Sequence, residues 1–194
     1  VQDFCGLNTL YAAVFMMPFN ETIVKNITRQ LVTAVSVLHS AGIYHQDLAI
    51  GNILVDSKYS IKIIDFGSAK TSNDVAEGIP NTQAEYRSME NILHQRAFPE
   101  SVDVWSIGVN AFISMFRSYP FNVQLLNALE DNHSQRLAEK YLQARIPPNK
   151  QSSEEFKDFI SKIFVPAYRR IEVSEMLAHP WLKEDGVSAQ NGGF

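Results

Sequence analysis

Apolar positions along this chain repeat first at helical spacing and then, for a short stretch, at strand spacing. Val24, Ile27, Leu31, Val35 and Leu38 fall three and four residues apart, which places them on one face of a helix. Asn20 before them has an N-cap side chain, and Gly42 after them suits a helix stop. Beyond Gly42 the period shortens. Residues 43–45, 53–55 and 61–64 are β-branched runs, and the polar tetrad 56–59 separates the last two as a hairpin requires.

From Gly67 to about residue 81 the chain is rich in Ser, Asn, Asp and Gly and has no period. A long irregular segment inside a compact domain is usually functional. Residues 102–115 are strongly apolar and predict a helix buried on most sides. Ser152 with Glu155 forms a capping-box pattern ahead of the apolar face Phe156, Phe159, Ile160 and Ile163. A last short helix is expected over 173–178, ending at His179-Pro180, and residues 183–194 have the composition of a flexible tail. No repeat or Pro/Gly-rich linker divides the chain. The pattern predicts one domain over residues 1–182, of α+β class, mainly α-helical with a few short strands.

Composition narrows the function classes. At 194 residues the chain can bury one substantial core. Its 17 basic and 21 acidic residues form no basic stripe, so nucleic acid is not an expected partner. The single cysteine, Cys5, reads as a small buried hydrophobe and fits a reducing compartment. The richest apolar run, 109–116, is interrupted by Asn110 and Ser114 and falls short of bilayer length. With no signal-like core either, the expectation is an intracellular protein, cytoplasmic or nuclear, away from membranes. The first residue is not Met and lies inside apparent domain sequence, so a truncated start is expected.

Two acidic blocks stand out, each at the end of a short strand: residues 45–52, His-Gln-Asp-Leu-Ala-Ile-Gly-Asn, and Asp65-Phe66-Gly67. Phosphoryl transfer needs groups that position a hydroxyl and hold Mg²⁺ against phosphate oxygens. An Asp carboxylate and an Asn carbonyl are hard oxygen ligands of the right type. A carboxylate beside the incoming hydroxyl suits a proton acceptor. Alone, Asp-Phe-Gly is more often an ordinary turn after a strand.

Together the blocks resemble the protein-kinase catalytic loop, H-R-D-L-x-x-x-N, and the metal-binding D-F-G, in order and at a normal separation. Further matches follow downstream. Residues 85–90, Glu-Tyr-Arg-Ser-Met-Glu, are similar to the segment ending in A-P-E, and 103–108, Asp-Val-Trp-Ser-Ile-Gly, to the start of the family's buried central helix. Arg170-Ile171 with Leu177, His179, Pro180 and Trp181 is similar to its closing signature. The resemblance is to the eukaryotic-type protein kinase superfamily, and specifically to the C-terminal lobe of a serine/threonine kinase.

That resemblance implies roles. Asp47 would accept the proton of the substrate hydroxyl, while Asn52 and Asp65 would hold Mg²⁺ and its ATP. Leu54 would form part of the adenine floor, with His45 and Phe66 packed beneath the site and Gly67 completing the motif. Glu90 would pair with Arg170, for which a solvated surface charge is the plainer alternative. Asp103 would hydrogen-bond the catalytic-loop backbone; a simple helix start is compatible with that. Residues 1–5 are similar to the hinge between lobes, where Asp3 and Cys5 would meet the adenine edge. The Gly-rich loop, the strand lysine and the helix glutamate of a complete kinase are not identifiable, so a missing N-terminal lobe is expected in the parent protein. The fragment alone is then expected to be inactive.

Several positions depart from the family pattern. Gln46 replaces the Arg that commonly receives an activation-loop phosphate. Ala49 stands where serine/threonine kinases place a lysine, and Gly51 does not supply the Arg found in some tyrosine kinases. Ser88-Met89 replaces Ala-Pro, and the usual threonine falls at Gln83, with Thr82 adjacent. Ser68, Thr71, Ser72 and Thr82 could be modified, although loop hydroxyls are more often merely solvated. The leading reading is a protein serine/threonine kinase acting on a protein substrate with ATP and Mg²⁺. Its rivals are a pseudokinase scaffold and, less well matched, a small-molecule phosphotransferase.

Overall fold

The computed structural model describes residues 8–74, 83–93, 95, 98–122, 146–148 and 150–183. In chain order these form β1 (Asn8–Thr9), α1 (Leu10–Met16), α2 (Glu21–Ser40), β2 (Ile43–Tyr44), β3 (Ile53–Val55), β4 (Ile61–Ile63), β5 (Lys70–Thr71), α3 (Met89–Ile92), α4 (Pro99–Phe116), α5 (Glu154–Ile163) and α6 (Val173–Met176), with short 3-10 turns between them. The fold is α+β, mainly helical with a few short strands. The expected hinge with Asp3 and Cys5, the loop around Thr82 and the tail after Lys183 lie outside the described residues.

Helix α2 starts where its N-cap predicts: Asn20 Oδ1 accepts the Ile23 N–H at 2.9 Å. Val24, Ile27, Leu31 and Val35 are buried, and Leu38 is half-buried. The helix closes at Gly42, which takes a left-handed φ of 68° and donates its N–H to the His39 carbonyl at 2.9 Å. A Cβ there would also lie 2.5 Å from Ser72 Oγ, so glycine is required on two counts.

Helix α4 occupies the middle of the core. Pro99 stands in its first turn, where a missing N–H costs nothing. From Val102 to Phe116 every residue except Met115 is buried, including Trp105 and Phe112 at 0% exposure. A helix apolar on all sides needs neighbours on all sides, and α2 and α5 pack on it.

Several local expectations are corrected. The capping box of Ser152 and Glu155 does not form; the N-cap of α5 is Ser153, whose Oγ accepts the Phe156 N–H at 3.1 Å. A distant carboxylate serves the cap instead. Glu21, in the first turn of α2, accepts the Ser153 N–H at 3.0 Å, the Ser153 hydroxyl, and the Trp181 indole N–H at 3.0 Å. With the Ser153 donors satisfied by tertiary contact, Glu155 stays exposed. Helix α1 was not foreseen, because Tyr11, Phe15 and Met16 point to solvent while Leu10, Ala13 and Val14 are buried. Apolar residues on both faces erase the periodic signal. The short strands also end one residue early, at Tyr44 and Ile63, and α6 ends at Met176.

The apolar face of α5 holds: Phe156, Phe159, Ile160 and Ile163 are all buried. Phe156 and Phe159 each lie 4.9 Å from the Trp181 ring, and Trp105 meets Phe164 edge-on at 5.0 Å.

Strand pairing sets the site. β1, β3 and β4 form one antiparallel sheet, with Ile53 opposite Ile63 and Leu54 opposite Lys62; β2 and β5 form another, with Tyr44 opposite Lys70. Residues 45–52 run from β2 to β3, and 64–69 from β4 to β5. The two sheets therefore draw both acidic blocks to one place. Among the described residues no helix is long and apolar enough to cross a membrane.

The packing of Gly108 against Ile163 and Phe164 yields a stability test. A Cβ on Gly108 would lie 2.6 Å from Ile163 Cγ2 and 3.0 Å from Phe164 Cε1, both in fully packed surroundings. Gly108→Ala is expected to lower unfolding free energy by about 1–3 kcal/mol through overpacking. Urea denaturation with an unchanged m-value checks this; an equally stable variant would show that α4 and α5 can part without cost.

Candidate active site

The segment between β2 and β3 is pinned by one carboxylate. Asp103, at 0% exposure, accepts the His45 N–H at 2.9 Å on Oδ2 and the Gln46 N–H at 2.8 Å on Oδ1. His39 Nε2 lies 2.9 Å from the same Oδ2. These contacts hold Gln46 in a left-handed conformation, φ 65°, which is costly for any residue with a Cβ. The turn delivers Asp47 to the half-buried surface beside Asn52.

Asp47 and Asn52 are locked to each other. The Asn52 amide nitrogen donates to the Asp47 carbonyl oxygen at 2.9 Å and to its Oδ2 at 3.0 Å. That orientation turns the Asn52 carbonyl oxygen away from Asp47. Among the described residues the buried Asp47 Oδ1 has no hydrogen-bond partner. Burial pushes the Asp47 carboxyl above its ordinary value; the Asn52 hydrogen bond and His45 oppose this, and Asp65 adds a further upward push.

The second block sits alongside. Ile64 donates its N–H to the Asn52 main-chain carbonyl at 2.9 Å, and the His45 ring bridges the two segments. Its Nδ1 accepts the Asp47 N–H at 3.3 Å while Nε2 donates to the Ile64 carbonyl at 3.1 Å. The Phe66 ring packs on His45 at 4.7 Å and is still 45% exposed. Asp65 is exposed and left-handed, φ 61°, with Oδ1 accepting the Gly67 N–H at 3.2 Å. Leu54 on β3 is half-buried, turned opposite to the buried Ile53 and Val55.

Among the described residues no group of three or more His, Cys, Asp or Glu could hold a metal ion by itself. The donors present, one exposed carboxylate and one amide carbonyl, fit Mg²⁺, which usually takes one or two protein ligands and completes its shell with water and phosphate.

Farther down, Glu90 and Arg170 form a buried pair. The guanidinium, 7% exposed, lies 2.9 and 3.1 Å from the two Glu90 carboxylate oxygens. It also donates to the carbonyls of Ile163, Ser101 and Val165 and lies 4.7 Å over the Trp105 ring. It is not a solvated surface charge. Burial lowers its proton affinity, and Glu90 opposes that.

The family model for the protein kinase domain matches residues 1–182. The chain belongs to the eukaryotic protein kinase superfamily. It is 30% identical over 183 residues to CBL-interacting protein kinase 22 of Oryza sativa subsp. japonica, a match covering 90% of the chain and 39% of that relative. It is 32% identical over 193 residues to the hormonally up-regulated neu tumor-associated kinase of Mus musculus, covering 95% of the chain and 26% of the relative. CBL-interacting protein kinase 21 of the same rice is 33% identical over 172 residues, with 85% and 31% covered. The chain thus spans well under half the length of these relatives.

Within this kinase domain, three contributors to the site escaped sequence reading. His39 has no motif around it. Tyr86 was read only as part of the 85–90 block, yet its hydroxyl accepts the Ile50 N–H at 2.9 Å. Asn110 donates to the Leu48 carbonyl at 2.7 Å; its one visible signal was a polar residue inside the apolar run 109–116.

The buried ion pair supplies a test. Arg170→Met leaves Glu90 charged in the core and is expected to cost about 3–5 kcal/mol of stability. A double variant, Arg170→Met with Glu90→Leu, is expected to recover part of that loss. Chemical denaturation of both proteins decides; a single variant losing under about 1 kcal/mol would mean that the pair is effectively hydrated.

Proposed function

We propose that this domain carries the catalytic loop of a protein serine/threonine kinase that transfers the ATP γ-phosphate to a protein hydroxyl. The observation that carries the reading is the unpartnered, buried Asp47 Oδ1 next to an Asn52 whose carbonyl faces away from it. Asp47 orients the substrate hydroxyl and takes its proton through that oxygen. Asn52 and Asp65 hold Mg²⁺, which when bound neutralises charge on the phosphate oxygens during transfer. Leu54, half-buried on β3, would lie under the adenine. His45 keeps the two segments in register through its contacts to the Asp47 N–H and the Ile64 carbonyl.

Activity requires the Gly-rich loop and strand lysine of a complete kinase, so we assign turnover to a full-length protein carrying them and none to these 194 residues alone. The Gln46 side chain supports a site that needs no phosphorylated loop. Its amide nitrogen donates to the Pro99 carbonyl at 2.8 Å, tying the loop to the start of α4 in place of a cation waiting for phosphate. The single cysteine fits a reducing, intracellular compartment.

A pseudokinase scaffold is the second reading, favoured by the loop between Asp47 and Asn52. Ala49 is 1% exposed, and a Cβ on Gly51 would meet nothing within 4 Å, so neither position offers a cation to the transferring phosphate. Such a loss costs on the order of a hundredfold in rate.

The deciding experiment is Mg·ATP-dependent phosphate transfer by the full-length protein to mixed protein substrates. Asp47→Asn and Asp65→Asn are each expected to lower transfer by at least about a hundredfold. A folded full-length protein with no transfer would move the assignment to the scaffold.

A further inference from the structure

We propose that Asn110 is a positioning residue for the catalytic loop, acting through the Leu48 carbonyl and the Tyr86 hydroxyl. An amide in the middle of an apolar helix is unfavourable unless all its hydrogen bonds are made. Here they are. Asn110 is 2% exposed; its nitrogen donates to Leu48 O at 2.7 Å and to Ser106 O at 2.9 Å, and its oxygen accepts the Tyr86 hydroxyl at 3.2 Å. The Tyr86 oxygen in turn accepts the Ile50 N–H at 2.9 Å. The proton directions are forced. The Leu48 and Ser106 carbonyls can only accept, so the Asn110 nitrogen faces them and its oxygen is left to accept the Tyr86 hydroxyl proton. Burial raises Tyr86 far above the usual phenol range, so the hydroxyl keeps that proton.

The geometry extends what Asp103 does. Asp103 and Asn110 are seven residues apart on α4, two turns along one face. Asp103 holds the loop at His45 and Gln46, before Asp47. Asn110 holds it at Leu48 directly and at Ile50 through Tyr86, between Asp47 and Asn52. Both sides of the candidate base are thereby fixed to one rigid helix. Tyr86 lies four residues before Glu90, so the same relay ties the loop to the segment clamped by Arg170.

Tyr86→Phe keeps the ring and removes the relay oxygen; Asn110→Leu removes the amide at similar volume. Amide hydrogen exchange on this chain is the first readout and is independent of activity. Exchange at Ile50 is expected to accelerate by at least about tenfold in both Tyr86→Phe and Asn110→Leu, with core amides such as Phe112 unchanged. Unchanged exchange at Ile50 overturns the proposal. Equal acceleration at Ile50 and Phe112 also overturns it, because the residue then serves general stability alone.

The second readout rests on the kinase reading. In the full-length protein both variants are expected to lose at least about tenfold in kcat with KM for ATP within about twofold. A rise in KM with kcat intact would contradict positioning. If the unsubstituted protein transfers no phosphate, the kinase reading falls while the exchange comparison still decides the role of Asn110.

Discussion

Asp103 is the contact on which the rest of the arrangement depends. A carboxylate at 0% exposure is expensive, and it is tolerated here because two loop N–H groups and a histidine converge on its two oxygens. In return it holds Gln46 in a backbone conformation that the chain would otherwise avoid. That turn decides where Asp47 stands, and Asp47 decides where the Asn52 amide points. The second acidic block then follows, since Ile64 is hydrogen-bonded to both Asn52 and the His45 ring. One charge in the core thus organises two loops at the surface.

Helix α4 makes this possible by being rigid as well as apolar. Its buried face carries Asp103 and Asn110 toward the loop, while Trp105 supports the Arg170 guanidinium from the other side. Polar groups in a core are costly when half satisfied and stiffening when fully satisfied. Asp103, Asn110 and Arg170 are each surrounded by several partners. Asp47 Oδ1 is a contrasting case, an acceptor beside the same network with no partner among the described residues. Together these contrasts separate the groups that build the site from the group that would meet a substrate.

The departures from the family pattern also acquire physical meaning. Gln46 is 5% exposed and bonded to the Pro99 carbonyl, so it contributes to loop architecture with no charge to offer. Ser88 is fully buried and its hydroxyl pairs with the Asn91 side chain. Both are polar residues that found local partners.

Much of the scaffold was legible from residue order alone. Three-and-four spacing placed α2, the apolar run placed α4, and the face of α5 was read residue by residue, because burial of one helix side leaves a period in the sequence. The strand at Ile53–Val55 and the two acidic blocks were legible for the same local reason. Helix α1 was not, since apolar residues on both its faces leave no period. The α5 cap was misplaced by one residue because Glu21, 132 positions away from Ser153, serves it. Asp103 lies 58 residues from His45, Asn110 lies 62 from Leu48, and Arg170 lies 80 from Glu90. Sequence by itself determined which segments coil, which extend and which side chains carry suitable chemistry. Only the tertiary structure decided which polar atoms meet which partners, because those partners are neighbours in space and not in the chain.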